Sequence, residues 1–168
     1  FYMLGYSGTP SPSPSSRIDY INIQSQGNSI RFGSLTANRY TLGAGSNSTR
    51  GLFTGGYVEG NSPDTDVNII EFITIATEGN AIDFGDRTVV GRNTAAASSS
   101  TRVVMAAGQV GNPGIINTID FITTATTANA TDFGDLLSIT NSMCNANNSP
   151  TRGIFSGGNA PSSPYNQN

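Results

Sequence analysis

The sequence predicts an all-β fold assembled from about three repeats of roughly 50 residues, each folding as four short antiparallel strands. Three observations predict it. Phe-Gly pairs recur at Phe32, Phe84 and Phe133, with intervals of 52 and 49 residues. Thr-Arg pairs keep the same step at Thr49/Arg50, Thr101/Arg102 and Thr151/Arg152, and each opens an apolar run closing on small residues: GLFTGG, VVMAAG and GIFSGG. The segments RIDYINI (17–23), IIEFITI (69–75) and TIDFITT (118–124) then place an acid between apolar residues, once per period.

Taken in order, the first strand of each unit is small-residue sequence, TLGAGSNSTR, AAASSSTR or MCNANNSPTR, as crowding near a common axis requires. The second is the apolar run, and its Gly55-Gly56 and Gly157-Gly158 pairs are expected to allow close backbone packing. Arg50, Arg102 and Arg152 stand at its entrance; each is expected to donate its planar fork to carbonyls or an acid of the adjacent unit. A further copy of the element is read in YMLGYSG (2–8). In the third strand Ile70 and Phe72 point to one face, and Ile73 and Ile75 supply apolar side chains to the other. Both faces are therefore expected to be covered. A Gly/Ala-Asn turn, at Gly79-Asn80 in the second unit, is expected to use positive φ and lead into the fourth strand. There Phe32, Phe84 and Phe133 are expected to fill the core equally, with Gly85 and Gly134 in tight turns.

This period lies in the range of β-propeller blades, small sheets that cannot bury both faces alone. The unit of arginine, small strand, apolar strand ending in Gly-Gly, variable loop, Ile-acid-aromatic strand and aromatic strand resembles the kelch-type propeller repeat. Gly55-Gly56 and Gly157-Gly158 match its double glycine, and Arg39 and Arg92 its inter-blade arginine. The chain has no Trp, with Ala107-Gly108 for the third double glycine and Asn141 for the third arginine. The wording of GNAIDFGD and STRG is similar to repeat proteins of marine bacteriophages and cyanophages. The expected organisation is a single propeller segment over 1–168, with repeats 1–50, 51–102 and 103–152 and a partial repeat 153–168. Because the second-strand element is counted four times and the others three, the segment is expected to belong to a larger ring.

Composition narrows the function. Charged residues are 11% and the net charge is −3, so there is no basic field to attract nucleic acid or anionic lipid. No apolar run reaches the roughly 18 residues of a membrane helix. With no His and one Cys (Cys144), the usual ligand sets of zinc sites and of copper centres of the galactose-oxidase kind, and Cys/His nucleophile pairs, cannot be assembled. The Asp-Phe-Gly triplets are not a kinase metal element, because a catalytic loop needs His. Asp83/Asp86 and Asp132/Asp135 supply too few oxygens for calcium, and Arg31 and Ser34 replace both acids in the first copy. No catalytic residue, metal or cofactor is expected. What varies between units is the loop between second and third strands, where repeat scaffolds place specificity. Tyr57, Glu59, Asp64 and Asp66 gather aromatic and acidic groups there. The expectation is a non-enzymatic virion fibre, appendage or decoration component, virion-borne or extracellular, with other virion proteins or copies of itself as partners. The alternative is a lectin-like propeller that binds surface glycans through those four residues.

Overall fold

The computed structural model describes residues 6–7, 13–58, 65–111, 114–140 and 145–159, and side chains within these except at 6–7, 13–14 and 145. Among them the chain is all-β. The strands are β1 (Tyr6–Ser7), β2 (Ser13–Pro14), β3 (Arg17–Tyr20), β4 (Ile30–Ser34), β5 (Gly43–Ser46), β6 (Arg50–Thr54), β7 (Tyr57–Val58) and β8 (Thr65–Asp66). They continue as β9 (Ile69–Thr74), β10 (Ile82–Asp86), β11 (Ala95–Ser98), β12 (Arg102–Val110), β13 (Gly114–Thr123), β14 (Thr131–Asp135), β15 (Asn145–Asn148) and β16 (Gly153–Ser156).

Two four-stranded antiparallel sheets result, β5-β6-β9-β10 and β11-β12-β13-β14, each in chain order. The β3–β4 hairpin matches the third and fourth positions of such a sheet, and β15–β16 the first and second. Short hairpins β1–β2 and β7–β8 stand apart from these, whereas β12 and β13 run on without a break through the equivalent region. Each complete sheet straddles a boundary of the sequence repeats, because the small strand before Thr-Arg pairs with the apolar strand after it.

The Thr-Arg landmark is a tight turn between those two strands. Asn47 Oδ1 accepts the backbone N–H of Thr49 (2.9 Å) and Arg50 (2.8 Å), and Ser99 and Ser149 Oγ accept the equivalent arginine N–H, both at 3.1 Å. Short polar side chains bonding backbone two or three residues on are what favour such turns.

Alternation in β9 sends its side chains to two interfaces. Ile70 and Phe72 join Leu52 and Phe84 against Val103, Met105 and Ile122 of the following sheet. Ile73, on the other face, packs with Phe53 and Ala81 against Ile18, Phe32 and Leu35 of the first hairpin. A third cluster joins Ala95 and Ala107 to Leu136, Ala146 and Phe155. The order of the stack is therefore β3–β4, β5–β10, β11–β14, β15–β16. Strand β11 lies against both β5 and β15 along one edge. Their glycines and alanines let the sheets converge there; a Cβ on Gly45 would stand 2.7 Å from Val103 Cγ1.

Two expectations need correction. Phe32 and Phe84 are buried at 7% and 2% exposure, but Phe133 is 56% exposed, because among the described residues only the two-stranded β15–β16 follows its sheet, with an open groove between them. Gly85 and Gly134 sit in β-bulges within β10 and β14, not in turns. The glycine of Phe-Gly makes room for the next unit: a Cβ on Gly33 would lie 1.9 Å from the Gly79 carbonyl oxygen, and one on Gly85 2.5 Å from that of Ala128. The Gly79-Asn80 turn has positive φ at Gly79 (+155°), as expected, and not at Asn80. Asn80 Oδ1 accepts the Ser34 N–H at 3.1 Å, and Asn129 Oδ1 accepts that of Asp86 at 3.1 Å, stitching each turn to the preceding sheet.

Gly55 (φ +62°) and Gly56 (φ +107°) join β6 to β7 with positive φ, a conformation that costs a side-chain-bearing residue about 1 kcal/mol or more. Gly157 and Gly158 repeat it, and Ala107 adopts φ +61° before Gly108, keeping the geometry without the first glycine.

Candidate functional site

Two buried acids of the sheets, Glu71 and Asp120, are spent on holding neighbouring sheets together. Glu71 of β9 points toward the preceding unit, where Thr36 donates its N–H (3.0 Å) and its hydroxyl to Oε1 and Arg39 Nη2 lies 2.6 Å from Oε2. Both charged side chains are fully buried. Arg39 Nη1 also donates to the carbonyls of Gly55 (2.8 Å) and Ile69 (3.2 Å). Burial pushes the Arg39 guanidinium below its ordinary pKa, and the Glu71 carboxylate opposes that shift. One sheet on, Asp120 of β13 receives the Thr88 N–H and hydroxyl at 3.0 and 3.1 Å, with Arg87 Nη2 at 3.1 Å. This pair is also fully buried. Glu71 and Asp120, the acids of the second and third Ile-acid-aromatic strands, are thus clamp points for the connection that leaves the previous sheet.

The arginine of the second clamp is Arg87, and Arg92, expected in that role, is elsewhere. Counting from Phe32 and Phe84, Thr36 matches Thr88, Leu35 matches Arg87 and Arg39 matches Gly91. A long side chain reaches the same buried acid from either of two positions one hairpin turn apart. Asn141, the third candidate, lies outside the described residues.

Arg50 donates from Nη1 to the Thr124 carbonyl of the next sheet, and its guanidinium lies over the Phe72 ring at 4.5 Å. Arg102 covers Phe121 at the same distance. Arg152 is exposed on the turn before β16.

Tyr57 and Asp66, two of the expected ligand residues, line a cleft between hairpin β7–β8 and the β12–β13 tip. Tyr57 and Asp66 face each other across β7–β8. Arg92 Nη1 meets Asp66 Oδ1 at 3.1 Å, its Nη2 donates to the Gly111 carbonyl at 3.1 Å, and its guanidinium lies 4.5 Å from the Tyr57 ring centroid. Asp66 Oδ2 accepts the Gly111 N–H at 2.6 Å. Around these lies an open cleft of about 380 Å³, lined also by Thr65, Val90 and Val110. Glu59 and Asp64 lie outside the described residues. The carboxylate of Asp66 ties hairpin β7–β8 to the β12–β13 tip, and Arg92, missed as a rim residue, occupies the face of Tyr57. Among the described residues no three acid, Cys or His side chains gather as a metal site.

Neither a protein-family model nor a curated protein matches the chain.

Proposed function

We propose that the chain is a non-enzymatic structural protein built as kelch-like propeller blades, serving as a fibre, appendage or decoration component of a phage virion. The observation that carries this reading is the repeated inter-sheet clamp. Glu71 and Asp120, the acids that recur with the repeat, are consumed with Arg39 and Arg87 in joining one sheet to the next. Four-stranded sheets in chain order, stacked face to face and converging on their small strands, support the propeller geometry. The similarity of GNAIDFGD and STRG to phage repeat proteins supports the virion setting.

The test is to raise antibodies against the chain and image purified particles from its source. Labelling at a fixed place on the particle is expected. Recovery of the chain only as free, unassembled protein overturns the virion reading.

The second reading, glycan binding at the rim, is favoured by the cleft beside Tyr57, Asp66 and Arg92. Aromatic faces and charged donors are the groups that sugars use, but here they already engage one another. A glycan array probed with the chain and with Tyr57→Ala decides it: binding lost in the variant supports this reading, and an array without binding ends it.

A further inference from the structure

The interface between successive sheets is made twice within the chain, and the two halves of a third lie exposed at opposite ends. In the first two, Phe32 packs with Ile73, and Phe84 with Ile122. The remaining aromatic, Phe133, is 56% exposed, and the remaining isoleucine, Ile21, is 47% exposed, whereas Ile73 and Ile122 are at 1% and 2%. Their matching positions follow from Asp19, Glu71 and Asp120, which each precede the isoleucine by two residues.

Other parts of the interface divide the same way. Gly33 and Gly85 meet the carbonyl of the next turn, but a Cβ on Gly134 would meet nothing within 4 Å. Glu71 and Asp120 take an arginine from the preceding connection, but Asp19 holds one from its own strand, Arg17 Nε at 2.7 Å. The connection leaving β14, residues 136–140, reads LLSIT and offers no arginine. The acid that brings its own guanidinium therefore fits the connection that has none to give. An open groove of about 840 Å³ lies along this face, bordered by Val104, Ile119, Phe133 and Phe155.

We infer that the Phe133 face of one copy receives the β3–β4 hairpin of a second copy, head to tail, placing Ile21 against Phe133 and Asn28 against the Asp135 backbone. The contact joins unlike surfaces, and such contacts generate rings where the rotation closes and filaments where it does not. The inference extends the propeller reading by naming the partner, and rests on that reading only for closure into a ring.

Two variants test it, each at an exposed position so that folding is preserved, as melting curves will verify. Ile21→Asp destroys the head surface and Phe133→Asp the tail surface. In analytical ultracentrifugation the wild type is expected to form an oligomer, and each variant alone to be monomeric. A mixture of the two is expected to give a one-to-one dimer and nothing larger, because one intact head and one intact tail remain. A monomeric wild type, or a mixture that stays monomeric, overturns the docking. Electron microscopy of the wild-type oligomer then separates the two readings: closed rings support the propeller geometry, and open filaments keep the docking while removing the ring.

Discussion

Arg39 Nη2 and Glu71 Oε2 lie 2.6 Å apart with neither side chain exposed to solvent, joining the connection after the first hairpin to the centre of the next sheet. Removing one member leaves an uncompensated buried charge, which costs about 3–5 kcal/mol, while replacing both by apolar groups is often close to neutral. Arg39→Met is therefore expected to lower stability in urea unfolding by about that amount, and Arg39→Met/Glu71→Leu to recover much of it. Equal loss in the single and double variants would show that the pair does not act as a unit.

The second clamp offers a test by transplantation. If Leu35/Arg39 and Arg87/Gly91 are two solutions to one problem, then Arg87→Leu should unfold at lower urea, and adding Gly91→Arg should restore part of the loss by bringing a guanidinium back to Asp120. A Cβ on Gly91 meets its nearest neighbour at 3.6 Å, an ordinary contact, so the site can accept the change. A double variant weaker than Arg87→Leu alone would refute the equivalence.

The same comparison shows what the sequence makes legible. Strand order and the both-faced apolar pattern of β9 are written locally, in residues whose spacing repeats. The clamp is harder to read because guanidinium reach blurs position: Arg39 and Arg87 are not in register, and the invariant partner is the threonine, Thr36 or Thr88. That threonine, with the recurring acid, was the available signal. Phe133 could not be read correctly from its motif, since TDFGD and IDFGD differ little and burial depends on what stands opposite. The rim pairing of Arg92 with Asp66 joins two hairpins and has no local signature.

A pH effect is expected at the first interface. Tyr20 donates its hydroxyl to Glu78 Oε1 at 3.1 Å, and this hydrogen bond, followed by repulsion from the carboxylate, raises the phenol pKa above its ordinary value of 10.0. A group whose folded pKa is raised contributes stability below its unfolded pKa and loses it as pH rises through the folded one. The stability difference between wild type and Tyr20→Phe should thus hold at neutral pH and vanish in alkali above the ordinary tyrosine pKa. A difference that grows in alkali would contradict the assignment.

Metal removal should have no effect on the fold. Asp132 Oδ1 accepts the Gly134 N–H at 3.3 Å, a role within the bulge, and in the first copy Arg31 and Ser34 stand where the acids of the later copies are. A cation held at 100 times its Kd would add about 2.7 kcal/mol to stability, so its removal is readily seen in a melting curve. The expected result is the same melting temperature with and without EDTA; a fall of several degrees would assign Asp83, Asp86, Asp132 or Asp135 to a cation.

The two Asp-Phe-Gly phenylalanines should separate sharply on truncation. Phe84 lies edge-on to Phe72 with centroids 5.8 Å apart, and Phe133 to Phe121 at 5.9 Å, so each keeps the same partner within its own sheet. The difference is the sheet opposite: Phe84 faces Val103, Met105 and Ile122, whereas Phe133 faces the open groove. Phe84→Ala should therefore cost about 3–5 kcal/mol through lost burial and the cavity left behind. Under dilute conditions where the chain is monomeric, Phe133→Ala should cost less than about 1.5 kcal/mol, the scale of an aromatic pair contact alone. At concentrations where head-to-tail association occurs the two values should converge, because the groove is then filled. Equal losses in the dilute monomer would mean that the intra-sheet ring pair, and not the opposing sheet, sets the contribution of these residues.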